Sequence, residues 1–524
     1  MKTKFQQFSS RITLPLVGVA ALTSCAGKST QQENSMPLNI IYIMTDDHTR
    51  QMMSSYDQRH IQTPNLDRIA DEGVLFSNAF VANSISGPSR ACLLTGKHSH
   101  KNGKLDNFTQ FDGNQQTVQE LLQGVGYETA MIGKWHLDSE PTHFDHWEIL
   151  PGQGSYYNPD FITPEGNVKY DGYVTNIITD LSLNWLDKER NKDKPFCLFL
   201  HHKAIHRNWM ADTLHLDMYE DKEFEVPSNF FDDYDGRVAA AQQEMSIASD
   251  HDMDLVNDLK MMRPGVKTRL SAAYEHGEYA RMTPRQRELW DEHYQPIIDK
   301  FYDDNLQGKE LALWKYQRYM TDYAKTVQSL DENVGRVLDY LEANDMMENT
   351  VIVYTSDQGF YMGEHGWFDK RFMYEESFST PLVMRLPSQF KRKGKIEEMV
   401  QNIDFAPTML DIAGAEIPED IQGISLLPLL KDEKSPTEWR ESLYYHYYEY
   451  PAEHMVKKHY GIRTERYKLI HFYDDVDEWE LYDLHNDIQE MNNLYGNPEY
   501  EAVVADLKDQ LKELQVKYDD PIRN

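Results

Sequence analysis

The chain has 524 residues, three cysteines and a formal net charge of −33 at pH 7. This length suffices for one large domain and a smaller one, because single hydrophobic cores stop growing near roughly 250–300 residues. The negative charge argues against binding to nucleic acid, whose phosphates would be repelled. Cys92 and Cys197 lie in apolar segments, which predicts buried free thiols rather than a disulfide framework.

The first 24 residues have the features of an export signal. Three basic residues precede an apolar run, Ile12 to Leu22, that is too short to span a membrane stably. The run ends in Leu-Thr-Ser-Cys, which looks like a bacterial lipobox and predicts that Cys25 is acylated. A plain secretory signal cleaved nearby is the alternative. Residues 25–36 are then a flexible tether, and we expect an exported protein, periplasmic or at the cell surface, held to the membrane only by its N-terminal lipid.

Four short apolar runs are each followed at once by polar residues. Such runs, rich in β-branched and aromatic residues, are typical of strands buried on both faces. Helical patterns such as 117–124 and 175–189 lie between them, so the sequence predicts an α/β fold with a mostly parallel sheet. Ligands bind beyond the carboxyl ends of the strands in such sheets, and the residues after the runs should therefore meet. The runs are 39–44, 128–132, 196–200 and 350–355.

Two of these strand ends carry hard oxygen ligands. Asp46 and Asp47 follow the first run, and Asp357 and Gln358 follow the fourth. Each pair alone could be a helix cap or a turn. Brought together, the carboxylates repel one another unless a cation lies among them, and this donor set suits Ca²⁺.

The other two strand ends carry a lysine and two histidines. Lys134 and His136 alternate along an extended segment, so they can face the same side. His206 is the last residue of the polar segment 201–206, which follows the third run. A core position with a satisfied hydrogen bond is the alternative for a histidine taken alone.

A Ser-Gly-Pro-Ser-Arg segment begins an apolar helical run at Ser86. Pro88 is well placed in a first helical turn, where its missing N–H is not needed. The amides of that turn and the guanidinium of Arg90 direct positive charge towards whatever Ser86 attacks. The short segment alone could be an ordinary capped helix, whereas the longer pattern Ser-x-Pro-Ser-Arg-x-x-x-Leu-Thr-Gly is far more specific.

This longer pattern resembles the signature of the type I sulfatases, in which its first Ser or Cys is oxidised to formylglycine (3-oxoalanine). The resemblance covers almost the whole mature chain and implies the serine variant, modified at Ser86 by a formylglycine-generating maturase. It also implies an alkaline-phosphatase-like large domain and a calcium ion. The implied calcium ligands are Asp46, Asp47, Ser86, Asp357 and Gln358, the last standing where many members carry Asn.

The resemblance further implies roles for individual side chains. Arg90, Lys134 and Lys370 would offset the charge of the sulfuryl group. His136 would contact the formylglycine hydrate and His206 the leaving-group oxygen, with Ile205 in place of the usual Pro. Candidates for the sugar's hydroxyls are Asp369, Arg371 and, in a C-terminal loop, His454, which we prefer to His446 and His459.

The segment Asp369 to Tyr374 is similar to that of exo-acting sulfatases that remove 6-O-sulfate from N-acetylglucosamine in heparin and related glycans. A sulfated mono- or oligosaccharide is the expected partner, and the charge favours a chain end over a polymer interior. Other glycosaminoglycan or mucin sulfatases, acting on 2-O-sulfated uronate or sulfated galactose, remain open. So do a phosphatase or phosphodiesterase of the same superfold, using unmodified Ser86 and usually two zinc ions, and a non-catalytic glycan-binding lipoprotein.

The remaining patterns predict the domain organisation. Residues 37–437 would form the catalytic domain, with an acidic, aromatic insertion at about 207–307 that we interpret as surface helices and loops over the active face. A packed core helix is expected from about 309 to 344. Residues 438–524 would form a small antiparallel-sheet subdomain, with strands at 442–448, 459–464 and 467–473 and a helix at 499–518.

Overall fold

The computed structural model describes residues 37–431 and 435–521. The predicted signal peptide and tether therefore lie outside the described residues. From Pro37 onwards the chain forms one compact unit, and the boundary predicted between residues 437 and 438 stays a prediction. No helix in the described ranges has the length and apolar character needed to cross a bilayer.

Sixteen strands occur in the described residues. They are β1 (Asn39–Thr45), β2 (Val74–Phe76), β3 (Ala79–Phe80), β4 (Glu128–Lys134), β5 (His146–Leu150), β6 (Asp160–Thr163), β7 (Gly166–Lys169), β8 (Phe196–His201), β9 (Thr350–Ser356), β10 (Leu382–Arg385), β11 (Gly394–Ile396), β12 (Val400–Gln401), β13 (Ser442–Tyr447), β14 (His459–Thr464), β15 (Tyr467–Phe472) and β16 (Glu478–Asp483).

The same ranges contain twelve α-helices. They are α1 (Pro64–Asp71), α2 (Ser86–Thr95), α3 (Ser99–Asn102), α4 (Val118–Gly124), α5 (Val174–Asn184), α6 (Val238–Ala241), α7 (Pro284–Asp304), α8 (Gly308–Ala343), α9 (Glu375–Phe378), α10 (Phe405–Ala413), α11 (Leu427–Lys431) and α12 (Glu501–Lys517).

The central sheet confirms the predicted α/β architecture. Its ten strands run in the order β11-β2-β10-β9-β1-β8-β4-β5-β6-β7, and the neighbours from β9 to β5 pair in parallel. The register aligns their carboxyl ends, because Met44 pairs with His201 and Thr45 pairs with Ser356. The segments that follow β1, β8 and β9 therefore leave the sheet at one edge, as the sequence predicts.

Both faces of this sheet are covered, which explains the apolar runs. Ile41 and Ile43 pack into one core with residues of α5 and α8, and Ile40 and Tyr42 pack into a second core with residues of α4 and α10. Successive residues of a strand point to opposite faces, which explains why β1 is apolar at each position from Ile40 to Met44. The predicted core helix is α8, and both predicted free thiols, Cys92 and Cys197, are buried.

The interpretation of residues 207–307 as surface structure is wrong for much of the segment. Trp209, Met210, Leu259 and Met261 are fully buried and belong to the same core as β1 and α8. Nearby, the buried ammonium of Lys260 contacts Asp322 on α8 at 3.0 Å. Aromatic and methionine side chains of the segment pack into the core. Its many acidic residues made the sequence resemble that of an exposed segment.

The C-terminal part forms an antiparallel sheet in the order β13-β14-β15-β16, with β16 in addition to the three predicted strands. Leu507 and Leu511 of α12 pack on one face. The other face packs against Trp367 and Phe372, which lie in the loop after β9. This sheet therefore supports the loop that carries Lys370.

Candidate active site

Ser86 is the first residue of α2 and lies at the carboxyl edge of the central sheet. Its side chain is buried and its Oγ donates to Asp46 Oδ1 at 3.0 Å. The partial positive charge of the helix N-terminus favours an anion here. The amides expected to add to it are already bonded within the protein, because that of Gly87 donates to Asn107 Oδ1 and that of Ser89 donates to the carbonyl of Ile85. The hydroxyl is therefore held between a carboxylate and a site suited to negative charge.

The predicted metal ligands come together beside Ser86. The amide of Asp47 donates to Asp357 Oδ1 at 3.2 Å, and Gln358 Nε2 donates to Asp47 Oδ1. All of these side chains are buried, and burial raises the pKa of Asp47 to about 6 despite the opposing charge of Lys370. Ligand atoms of Asp46, Asp47 and His206 lie within 4.8 Å of one another.

This donor set fits a divalent cation. Gln358 Oε1 is buried and has no hydrogen-bond partner among residues 37–431 and 435–521, so a strong acceptor remains beside the carboxylates. Carboxylate and amide oxygens are the ligands of hard cations such as Ca²⁺. A divalent cation of this kind therefore fits the residues present.

Three cations face the three carboxylates. Arg90 Nη2 contacts Asp357 Oδ2 at 2.9 Å, and Arg90 Nη1 donates to the carbonyl of Lys134 at 2.7 Å. Lys134 is ion-paired with Asp46, and Lys370 Nζ lies 2.7 Å from Asp47 Oδ1. The formal charges of these six groups balance, so a divalent ion would leave a net positive pocket that can hold an anion.

The two lysines differ in their electrostatics. Burial, with the neighbouring charge of Lys203, lowers the pKa of Lys134 well below its ordinary value. Burial also acts to lower the pKa of Lys370, but the charges of Asp47 and Asp369 together outweigh it and the pKa is raised. Lys370 is therefore the more firmly protonated of the two.

The two predicted histidines adjoin this cluster. Burial and the charge of Lys134 lower the pKa of both His136 and His206. Nδ1 of His206 donates to the carbonyl of Arg207 at 2.7 Å, since a carbonyl can only accept, and Nε2 lies 3.9 Å from Asp47 Oδ2. Nε2 is therefore the nitrogen that faces the site and can gain or lose a proton.

The three residues predicted to bind the sugar form one contact network. Asp369 Oδ1 accepts from Arg371 Nε at 3.1 Å, and Asp369 Oδ2 lies 3.3 Å from His454 Nε2. Arg371 Nη1 also donates to Glu449 at 2.7 Å. Burial would raise the pKa of Asp369, but Lys370, His454 and Arg371 outweigh it and hold the pKa well below its ordinary value.

The backbone is strained at these same positions. Asp369, Arg371 and His454 have φ values of 76°, 100° and 66°, in a region that non-glycine residues rarely adopt. Such strain persists where the surrounding structure holds it and is concentrated at ligand sites.

Three further side chains, those of Tyr374, His446 and His459, have their contacts outside this network. Tyr374 donates to Glu480 at 2.8 Å inside the C-terminal core. His446 contacts Asp520 at 2.8 Å, and His459 Nε2 accepts from the amide of Met373. These side chains support the subdomain rather than line the pocket.

Sequence reasoning missed several residues at the edge of the site. Gln153 is exposed and its Oε1 contacts the ammonium of Lys134, while buried Lys203 donates to the carbonyl of Gln153 at 3.1 Å. Asn107 Oδ1 accepts from the amide of Gly87 at 3.0 Å. Lys203 follows β8 and could have been included by its position, but Gln153 and Asn107 lie in polar segments without any distinguishing pattern.

Fold and site together define a class of enzyme, the ester hydrolases of the alkaline-phosphatase-like fold. Residues 38–415 match the family model described as Sulfatase, and residues 363–517 match that of the C-terminal part of N-sulphoglucosamine sulphohydrolase. The chain belongs to the sulfatase family and is a sulfuric ester hydrolase, as the sequence signature predicts.

Three similar proteins illustrate the relationship. An N-acetylglucosamine-6-O-sulfatase of Bacteroides thetaiotaomicron is 51% identical over 98% of this chain and 91% of its own. A solved structure in complex with its substrate D-glucosamine-2-N,6-O-disulfate is 52% identical, with a TM-score of 0.88 over 93% of this chain and 99% of its own. A phosphonate monoester hydrolase of Silicibacter pomeroyi, 20% identical with a TM-score of 0.67 over 92% of this chain and 96% of its own, shares the fold.

Proposed function

We propose that this protein is an exo-acting glycan sulfatase that hydrolyses the 6-O-sulfate of a terminal glucosamine, N-acetylated or N-sulfated, in heparin- and heparan-type glycans. The observation that carries the proposal is the similarity to a 6-O-sulfatase at 51% identity over 98% of the chain. The network of Asp369, Arg371 and His454 supports it, because paired charged groups beside the sulfate pocket can bind the hydroxyls of one sugar.

We propose formylglycine at position 86 and Ca²⁺ held by Asp46, Asp47, Asp357 and Gln358. In its hydrated form, formylglycine would supply two geminal hydroxyls, one as the nucleophile and one whose deprotonation would allow sulfate to leave and the aldehyde to re-form. Calcium would supply positive charge. Arg90, Lys134 and Lys370 would face the sulfuryl oxygens. Such fixed charges stabilise the transition state without reorganisation.

His206 is the proposed general acid. Its Nε2 faces the pocket, and the negative charge of the bound sulfate ester favours a proton on that nitrogen. The proton would pass to the sugar oxygen as the S–O bond breaks, and general acid catalysis of this kind contributes about 10²–10⁴-fold. His136, with Nδ1 buried and without a hydrogen-bond partner among the described residues, would accept a proton when sulfate leaves.

We further propose that the protein is exported and held at a membrane by an N-terminal lipid. The basic and apolar pattern of residues 1–24 and the lipobox at Cys25 support export and anchoring through an N-terminal lipid. A maturase that accepts serine is the further partner that the proposal requires.

The proposal is tested with protein matured in its native host. We expect the peptide that contains residue 86 to lack a pair of hydrogens and to react with a hydrazide. We also expect sulfate release from N-acetylglucosamine 6-sulfate but not from 2-O-sulfated uronate or sulfated galactose. Unmodified serine together with activity on phosphate esters alone would overturn the proposal.

Calcium binding is tested through Gln358. After chelation, added Ca²⁺ should raise the melting temperature, because a ligand at 100 times its Kd stabilises the folded state by about 2.7 kcal/mol. Gln358→Leu removes the buried Oε1 and should raise the calcium Kd at least about tenfold, which corresponds to about 1.4 kcal/mol. The matched variant Gln358→Asn keeps an amide oxygen and should retain most of the affinity. Equal calcium affinities for both variants would contradict the assignment.

A further inference from the structure

We propose that Phe108 is the platform of a binding subsite for the sugar residue next to the one that bears the sulfate. This inference rests on the proposed function and adds a subsite to it. Phe108 is 73% exposed, and polar residues surround it in the sequence Asp-Asn-Phe-Thr-Gln. Single exposed apolar side chains are common, so the inference rests on where this one lies.

The position of Phe108 is fixed by its neighbour. Asn107 Oδ1 accepts from the amide of Gly87, the residue after Ser86, at 3.0 Å. The amide of Asn107 donates to Glu449 Oε2 at 2.8 Å, and Glu449 Oε1 is 2.7 Å from Arg371 Nη1. Phe108 is thus one residue away from contacts to both the nucleophile helix and the proposed sugar-binding network.

The segment that presents Phe108 is held in place. Asp106 Oδ1 accepts from the amides of Phe108 at 3.0 Å and Thr109 at 2.6 Å. Buried Lys104 donates to the carbonyl of Thr109 and contacts Asp138 at 2.8 Å. The ring therefore projects from an ordered turn, and a ligand that binds it does not have to order the loop first.

An aromatic platform suits a sulfated glycan on this particular protein. The chain carries a net charge of −33, so its long-range field repels a polyanion. A pyranose ring has an apolar face of C–H groups, and packing this face on an aromatic ring buries apolar area without requiring a cation. The occupant to which we commit is the neighbouring sugar of the glycan.

The experiment compares a 6-O-sulfated monosaccharide with a heparan-type tetrasaccharide that has the same terminal sugar. Phe108→Ala should raise KM for the tetrasaccharide about tenfold, with kcat unchanged within about twofold, and leave the monosaccharide unaffected. Phe108→Trp should retain tetrasaccharide KM. The matched control is Phe231→Ala, at another exposed phenylalanine. It should change KM and kcat for neither substrate. The tenfold difference should persist at high salt, because apolar contact is not screened.

Equal effects of Phe108→Ala on both substrates, or no effect on the tetrasaccharide, would overturn the platform. If the wild-type protein turned over neither substrate, the proposed function would have failed. Calorimetry of tetrasaccharide binding to Ser86→Ala, with and without Phe108→Ala, then decides: weaker binding by the double variant supports the platform, and any other result overturns it.

Discussion

Ser86→Ala should reduce sulfatase activity by a factor on the order of 10⁴–10⁶, because loss of a nucleophile removes the covalent pathway itself. Ser86 begins α2 with its Oγ 3.0 Å from Asp46, and alanine has no hydroxyl that a maturase could oxidise. Rates of sulfate release from a sulfated glucosamine, measured on protein of verified mass, test this expectation.

The control for Ser86→Ala is Ser84→Ala, which removes another buried serine hydroxyl two residues earlier. It should retain most of the activity. Ser86→Ala itself should keep its calcium-dependent melting transition, because four ligands remain. Retention of more than about 1% of wild-type activity by Ser86→Ala would contradict a nucleophile at this position.

His206→Ala should lower kcat/KM about 10²–10⁴-fold for a sugar sulfate and less than about tenfold for a nitrophenyl sulfate. A nitrophenolate leaves without being protonated, whereas the sugar oxygen needs a proton as the S–O bond breaks. His206 Nε2 is the nitrogen that faces the pocket, so the variant removes the proposed proton donor. The ratio of the two rates, compared with wild type, is the measurement.

His202→Ala is the matched control, since His202 is a buried histidine of the same strand end whose ring nitrogens have no hydrogen-bond partner in the described ranges. It should leave the ratio of the two rates unchanged even if stability falls. An equal loss on both substrates in His206→Ala would show that this residue positions the sulfate rather than protonates the leaving group.

The sequence by itself determined the sheet, because its signal is local. A strand covered on both faces is mainly apolar in its middle, and β1, β4, β8 and β9 each contain such a run, with bounds within about one or two residues of those predicted. Parallel pairing then brings the strand ends to one edge. This is why the sequence alone predicts that Asp46, Lys134 and Asp357 lie together. The signature around Ser86 likewise predicts the sulfatase family to which the chain belongs.

Only the tertiary structure shows which further side chains lie around the active-site residues. The contacts of Gln153 with Lys134 and of Asn107 with Gly87 join segments with no shared periodicity. The acidic residues of the 207–307 segment led to the prediction of an exposed segment, although its Trp209 and Met261 are fully buried. Strand and helix periodicities arise from the local backbone, whereas pocket walls depend on long-range packing. The sequence therefore located the chemistry, and the packing of separate loops determined what lies beside it.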